Sequence, residues 1–151
     1  MIVEVPGQSV DSWPNVHTLD NQLYFKPDAG RLLVSPADET PSPPVDAQPE
    51  EYDVALGAAR LEEWTQIEVE RVLRKWAGLR SFVADGVPVL GAEHERECPN
   101  FFWAAALGGY GVQTSPAVGM LIADLIQRGG PRAGLALDPR HYTPTRFARH
   151  C

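Results

Sequence analysis

The sequence predicts an α+β fold, with an antiparallel or mixed sheet carrying one packed helix, followed by short apolar strands and a second helix. Three observations predict it. Two β-rich runs flank a turn tetrapeptide early in the chain. A 3.6-residue apolar period begins near Glu50. A small-residue apolar stretch with start and stop signals follows Ser115.

The elements follow in order. Leu23-Tyr24-Phe25-Lys26 and Arg31-Leu32-Leu33-Val34 surround Pro27-Asp28-Ala29-Gly30, which predicts a hairpin. Residues 36–49 contain Pro36, Pro41, Pro43, Pro44 and Pro49 with Asp38, Glu39 and Asp46, and read as a surface loop. Val54, Ala58, Leu61 and Thr65 recur at helical spacing, with Glu50 and Glu51 where a helix dipole favours acids, so a helix over 50–64 is expected. Ile67 and Val69 alternate with Glu68 and Glu70 as in a half-exposed strand. After the basic stretch Arg71, Arg74, Lys75, the run from Trp76 to Val83 again reads as strand. Asp85-Gly86 marks a turn, Pro88 to Gly91 a short apolar piece, and 92–97 a charged loop. The all-apolar run Phe101 to Leu107, bounded by Pro99-Asn100 and Gly108-Gly109, suits a strand buried on both faces. Ser115 as N-cap with Pro116 at the first helical position, and Arg128 then Gly129-Gly130-Pro131, bracket a helix over 116–127.

Composition narrows the function classes. The chain has 151 residues, 44% of them hydrophobic, enough to bury a core without a disulfide framework or structural metal. Cys98 and Cys151 form no CxxC pair or zinc-type spacing, which suits reduced thiols and a cytoplasmic location. The longest apolar run is glycine-broken and falls short of the ~18 residues that a membrane span requires. Net charge is -7, divided as 14 acidic and 3 basic groups in residues 1–70 and 6 acidic and 10 basic in 71–151. The scattered arginines of the second half form no basic stripe with interleaved aromatics, so nucleic acid is set aside.

Three constellations carry chemical interest: Tyr24 in the hairpin, Trp76-Ala77-Gly78-Leu79-Arg80, and Gly108-Gly109-Tyr110-Gly111-Val112-Gln113-Thr114 ahead of the capped helix. Singly, each has a plain reading. A strand Tyr is commonly a packing residue, an Arg at a strand end a surface charge, and a glycine-rich loop a turn needing positive φ. A loop leading into a helix N-terminus also offers free N–H groups to anionic or electron-rich ligands. His17, His94, His141 and His150 form no visible partner set and read as surface or structural histidines.

Taken in order, Tyr24 to Gly30, Trp76 to Gly86 and Phe101-Phe102-Trp103 through Gly111 resemble the C-terminal half of the FAD-dependent D-amino-acid oxidase superfamily. The branch they most resemble is the D-arginine dehydrogenase and D-amino-acid dehydrogenase group. The resemblance runs from about Trp13 to Arg128. It implies a substrate-domain sheet with one helix, plus the C-terminal strands and helix of an incomplete FAD-binding, Rossmann-like domain. The implied division is 1–85 for the substrate domain, 86–130 for the FAD-domain segment and 131–151 for a tail.

The resemblance also implies roles. Arg80 matches the family arginine that grips the substrate carboxylate, and Tyr24 the tyrosine whose hydroxyl reaches the same group. The Gly109 carbonyl would accept a hydrogen bond from the substrate amine. Gly108, Gly109, Tyr110, Gly111, Val112, Gln113 and Thr114 would flank the FAD, facing its N1 and C2=O region. The implied reaction oxidises an amino acid or small amine to an imino acid by hydride transfer to flavin N5, with no nucleophilic side chain and no metal.

One departure stands beside these matches, because the family opens on a GxGxxG turn and none occurs here. The expectation is therefore a fragment whose partner is the N-terminal FAD-binding half. The isolated chain would then be inactive, and the alternative is a non-catalytic remnant or interaction module. Without parallel neighbours the 101–107 strand would expose apolar surface, so homodimerisation or swapping through it is expected.

Overall fold

A tight hairpin organises the first half of the chain. In the computed structural model, which describes residues 1–93, 98, 100–134 and 136–147, strand β3 (Tyr24–Asp28) pairs antiparallel with β4 (Arg31–Ser35), Asp28 opposite Arg31. Only Ala29 and Gly30 remain for the turn, at φ 49° and 76°. Two successive positive φ values match the twist of the flanking strands, which explains a loop this short. The hairpin predicted from sequence is present, and its strands run further into the turn than expected. Pro27 is tolerated within β3 because its other neighbour, β2 (Val16–His17), pairs only with Tyr24 and Phe25.

β1 (Ile2–Val3) lies between β4 and β5 (Val72–Arg74), giving a five-stranded sheet in the order β2-β3-β4-β1-β5. Helix α1 (Glu51–Trp64) packs on one face of it. Leu61 is fully buried with Val3, Val10, Leu23, Phe25, Leu32 and Val34 around it, and Val54 and Ala58 pack alongside. The expected stripe is thus the buried one. Gly57 brings the helix close: a Cβ there would lie 3.2 Å from Met1 Cε and 3.3 Å from Pro36 Cδ. Thr65 closes the helix with both its N–H and its hydroxyl on the Leu61 carbonyl.

Two expected strands are absent. Ile67 is buried and Val69 packs on the core, but their N–H groups bond to Thr65 Oγ1 (3.1 Å) and Glu62 Oε1 (2.8 Å). Side chains satisfy the backbone there in place of a ladder. Trp76 to Val83 forms no strand either. The strand falls instead at Val72–Arg74, within the basic stretch ahead of the expected run, because β1 offers it an edge. Arg74 stacks over Trp76 (5.6 Å) and Lys75 pairs with Glu51, so both cations stay at the rim.

The chain divides into two compact units, Met1–Leu79 and Arg80–Cys151. In the second, β6 (Val89–Ala92) and β7 (Phe102–Ala105) form an antiparallel pair, with Asp85-Gly86 in the expected turn before it. β7 is not buried on both faces: Trp103 and Ala104 are exposed, and among the described residues β6 is its sole strand neighbour. The apolar run lacks the flanking strands that would enclose it. Most of the charged loop expected at 92–97 lies outside the described residues, as do His94, His150 and Cys151.

Helix α2 (Gly111–Arg128) begins well before the expected Ser115-Pro116 start. Pro116 sits inside it and cannot donate to the Val112 carbonyl, but Ser115 Oγ does so at 2.9 Å. The serine replaces the missing donor; it is not a cap. The stop is as expected, with Gly129 left-handed at φ 70° and its N–H on the Leu125 carbonyl. Among the described residues, no helix is long and apolar enough to cross a membrane.

Candidate functional site

The second unit brings together two segments nearly thirty residues apart in sequence. Ala106, Gly108 and Gly109 all have positive φ (55°, 59° and 89°), and the chain turns sharply out of β7. The Gly108 N–H donates to the Ser81 carbonyl at 3.1 Å, laying the turn along residues 80–82. A Cβ on Gly109 would lie 2.7 Å from Arg80 Cδ, closer than such atoms approach. The aliphatic arm of Arg80 therefore occupies the space that glycine leaves. A Cβ on Gly108 would lie 3.3 Å from Phe82 Cε1, so the Phe82 ring covers that residue. The Arg80 guanidinium carbon sits 5.1 Å from the centre of the same ring.

Tyr110 follows the turn, its N–H on the Leu107 carbonyl at 2.9 Å, and stands at the N-cap of α2 without a side-chain capping bond. Thr114 directs both its N–H (3.0 Å) and its hydroxyl (2.8 Å) to the Tyr110 carbonyl. The first-turn donors left without an intrahelical acceptor are the N–H groups of Gly111, Val112 and Gln113. Val112, 93% exposed, leaves this helix end open. Of the expected cofactor-flanking residues, 108–110 form the turn and N-cap and 111–114 the first helical turn.

Tyr24 belongs to the first unit. Its neighbour Phe25 points into the core, so Tyr24 occupies the opposite face of the sheet, where His17 stacks on it at 5.1 Å with an interplanar angle of 16°. His17 is thus a partner of an expected site residue rather than an isolated surface side chain; His141 is exposed.

Two features of the second unit were not foreseen. Phe82 was passed over, although an aromatic two residues after an arginine on an extended segment shares its side. The other is a clasp between the 85–90 segment and residues 142–146. Arg146 bonds Asp85 through Nε (2.7 Å) and Nη2 (3.1 Å) and the Val87 carbonyl (2.6 Å), while the Leu90 N–H donates to the Tyr142 carbonyl (2.8 Å). The Arg146 hydrogen bonds hold the Asp85 carboxyl down at about 2. At the far end of α2, buried Asp124 accepts a forked pair of bonds from Arg132 (2.7 and 2.8 Å) and its N–H, which hold its carboxyl below the usual range.

With this geometry in view, the comparisons are specific. Residues 1–125 match the family model described as DAO, FAD dependent oxidoreductase, and the chain belongs to that family. A 62-residue stretch is 39% identical to a glycine oxidase of Geobacillus kaustophilus (strain HTA426), covering 41% of this chain and 16% of that protein. The crystal structure of L-proline dehydrogenase from P. horikoshii superposes on 98% of this chain with a TM-score of 0.72 at 23% identity. That likeness is one of fold, and the chain spans 38% of the length of that structure.

The family implies FAD. The residues that would face one edge of it are the first-turn backbone donors of Gly111, Val112 and Gln113 at the positive end of an 18-residue helix. Such a donor set suits an electron-rich, planar, carbonyl-bearing group.

Proposed function

We propose that this chain supplies the carboxylate anchor and the cofactor-flanking loop of an enzyme that oxidises D-amino acids, or related small amines, to imino acids. The observation that carries the reading is the seating of Arg80 on Gly109, at the turn that leads into the open end of α2. On this reading residues 1–85 belong to the substrate domain, 86–130 to the FAD-binding domain and 131–151 to a tail. The rest of the FAD-binding part is its partner, and copies of the chain associate through the 101–107 strand. A cytoplasmic setting is in keeping with the exposed free thiol of Cys98.

Each residue has a task. The planar Arg80 guanidinium donates two parallel charge-assisted bonds to the substrate carboxylate and so fixes the direction of the α-carbon. The Gly109 carbonyl accepts a hydrogen bond from the substrate amine and leaves its lone pair aligned for loss of the α-hydrogen. FAD, when bound, supplies the two-electron acceptor. The N–H groups of Gly111, Val112 and Gln113, with the positive end of α2, stabilise negative charge on whatever group faces them, since they are oriented before it develops. Water completes the sequence by hydrolysing the imine, a step that needs no side chain.

The test is direct. Joined to a polypeptide that supplies the GxGxxG-bearing FAD-binding half, the protein is expected to keep flavin absorbance after free FAD is removed and to reduce an acceptor dye when a D-amino acid is added, whereas the chain alone is expected to show no turnover. Arg80→Met should raise KM by at least about tenfold, the worth of a hydrogen bond to a charged group, with bound-flavin absorbance unchanged. A colourless, inactive assembly of the two halves would overturn the reading in favour of a non-catalytic remnant or interaction module.

A further inference from the structure

We propose that Arg146 is a positioning residue of the site: it clamps the far end of the segment that carries Arg80 and so holds that segment against the Gly108-Gly109 turn. An arginine has five N–H donors in a rigid fork, and here each one has an acceptor. Nε and Nη2 grip the two Asp85 carboxylate oxygens at 2.7 and 3.1 Å, Nη2 also reaches the Val87 carbonyl at 2.6 Å, and Nη1 bonds the Tyr142 and Thr143 carbonyls at 2.9 and 3.1 Å. The side chain is only 14% exposed, and its guanidinium carbon sits 4.2 Å from the centre of the Phe147 ring. A surface ion pair would leave several of these donors to water. This arginine instead joins the 85–87 segment to the 142–146 strap.

The segment it holds has little else to fix it. From Arg80 to Val87 the chain forms neither strand nor helix, so no ladder sets its position. Its near end is set by the Ser81 carbonyl, which accepts the Gly108 N–H at 3.1 Å, and by the Arg80 arm, whose Cδ lies 2.7 Å from where a Gly109 Cβ would stand. Toward the far end the Gly86 N–H donates to the Val83 carbonyl at 2.9 Å and the Val87 N–H to Asp85 Oδ1 at 3.0 Å, folding this stretch into a turn. Three residues separate Ser81 from Asp85, so a shift at the second is passed to the first.

The strap is itself anchored to the strands that lead to the site. The Leu90 N–H of β6 donates to the Tyr142 carbonyl at 2.8 Å, and a Cβ on Gly91 would lie 3.8 Å from Pro144 Cδ. β6 pairs with β7, and β7 runs into the turn that ends at Gly109. Arg146 therefore closes a ring of contacts from strap to β6, to β7, to the glycine turn, to Ser81 and Asp85, and back. With that ring broken at Arg146, the 80–87 segment is held at one end only. The match to the family model covers residues 1–125, so the strap is a contribution of the chain beyond it.

The positioning claim concerns this chain's own hydrogen bonds, and its consequence for substrate rests on the carboxylate-anchor reading above. The first readout is hydrogen exchange on the full chain, followed by NMR. The Arg146 Nε–Hε proton is expected to exchange slowly in the unaltered protein; exchange at the rate of a free arginine would overturn the proposal, and this measurement needs no variant to fold. Arg146→Gln is expected to speed exchange of the Gly108 amide at least about tenfold, the scale of losing one hydrogen bond to a charged group. The Val34 amide of the first unit, bonded to the Met1 carbonyl, should keep its rate. Arg140→Gln removes the exposed Asp138–Arg140 pair from the same C-terminal stretch and should leave Gly108 unchanged. A Gly108 amide indifferent to Arg146→Gln, or equally sensitive to Arg140→Gln, would reduce Arg146 to a stabiliser of its own strap and overturn the proposal.

The second readout is kinetic, on the enzyme assembled from both halves. Arg146→Gln is expected to raise KM for D-alanine about three- to tenfold with kcat nearly unchanged, and to leave KM where it is when Arg80→Met has already removed the anchor. A fall in kcat alone, as from a smaller folded fraction, would overturn the positioning role. A Gly108 amide that responds to Arg146→Gln while KM ignores Arg80→Met would instead overturn Arg80 as carboxylate anchor and leave the clamp standing.

Discussion

Gly109 is the residue on which most of the site's geometry converges. Its φ of 89° is a conformation that costs a side-chain-bearing residue, and its missing Cβ is the space into which Arg80 packs. Gly109→Ala should therefore act twice. Backbone strain is expected to lower unfolding free energy by about 1–3 kcal/mol, measured by urea titration, and Arg80 should be displaced, seen as movement of its Nε–Hε signal. An alanine variant with unchanged stability and an unmoved Arg80 would mean the turn relaxes more freely than its positive-φ residues Ala106, Gly108 and Gly109 imply. Sequence alone could say that a glycine pair lies there. It could not say which glycine meets which side chain, because the contact closes a loop of nearly thirty residues. The same holds for Phe82: its period-2 relation to Arg80 was legible, its stacking was not.

At the scale of elements, legibility followed the strength of local signals. The β3-β4 hairpin and the buried face of α1 were readable because turn chemistry and apolar periodicity agreed within a few residues. The stop of α2 was readable for the same reason, a glycine that takes the left-handed C-cap. Its start was misread because Ser115-Pro116 has the chemistry of an N-terminus, yet the serine hydroxyl repairs the bond that the proline breaks. β5 was missed because its charges look like loop and its pairing partner, β1, is only two residues long and lies far upstream. The clasp from residues 142–146 onto the 85–90 segment was equally invisible, since ion pairs leave no period in a sequence. Its pH dependence can be worked out. The Arg146 bonds lower the Asp85 carboxyl to about 2, so the carboxylate stabilises the fold above the ordinary carboxyl range and loses that contribution as pH falls through about 4 toward about 2. Asp85→Asn is thus expected to melt below the unaltered protein at neutral pH, with the gap closing across that window. A gap that stays constant down to pH ~2 would show that the carboxylate charge contributes nothing there.

For the molecule as a whole, the two units carry their charge differently from the two halves of the sequence. Residues 1–79 hold 14 acidic and 6 basic groups, net -8, and residues 80–151 hold 6 and 7, net +1, which together restore -7. The second unit is nearly neutral, and charge repulsion does little to keep its copies apart. It also presents apolar surface: Phe101 is 47% exposed and Trp103 37%, with their rings edge to face at 5.0 Å, and β7 pairs along one edge only among the described residues. A short strand with an open edge and exposed aromatics is a template for pairing with another chain. Self-association that grows with concentration is therefore expected in sedimentation velocity. Ala104→Lys, which places a charge on the exposed middle of β7, should shift the population to monomer while far-ultraviolet circular dichroism stays the same. A chain that sediments as a monomer at every concentration would mean that this edge is covered in solution by the chain's own residues, and the lysine would then change nothing.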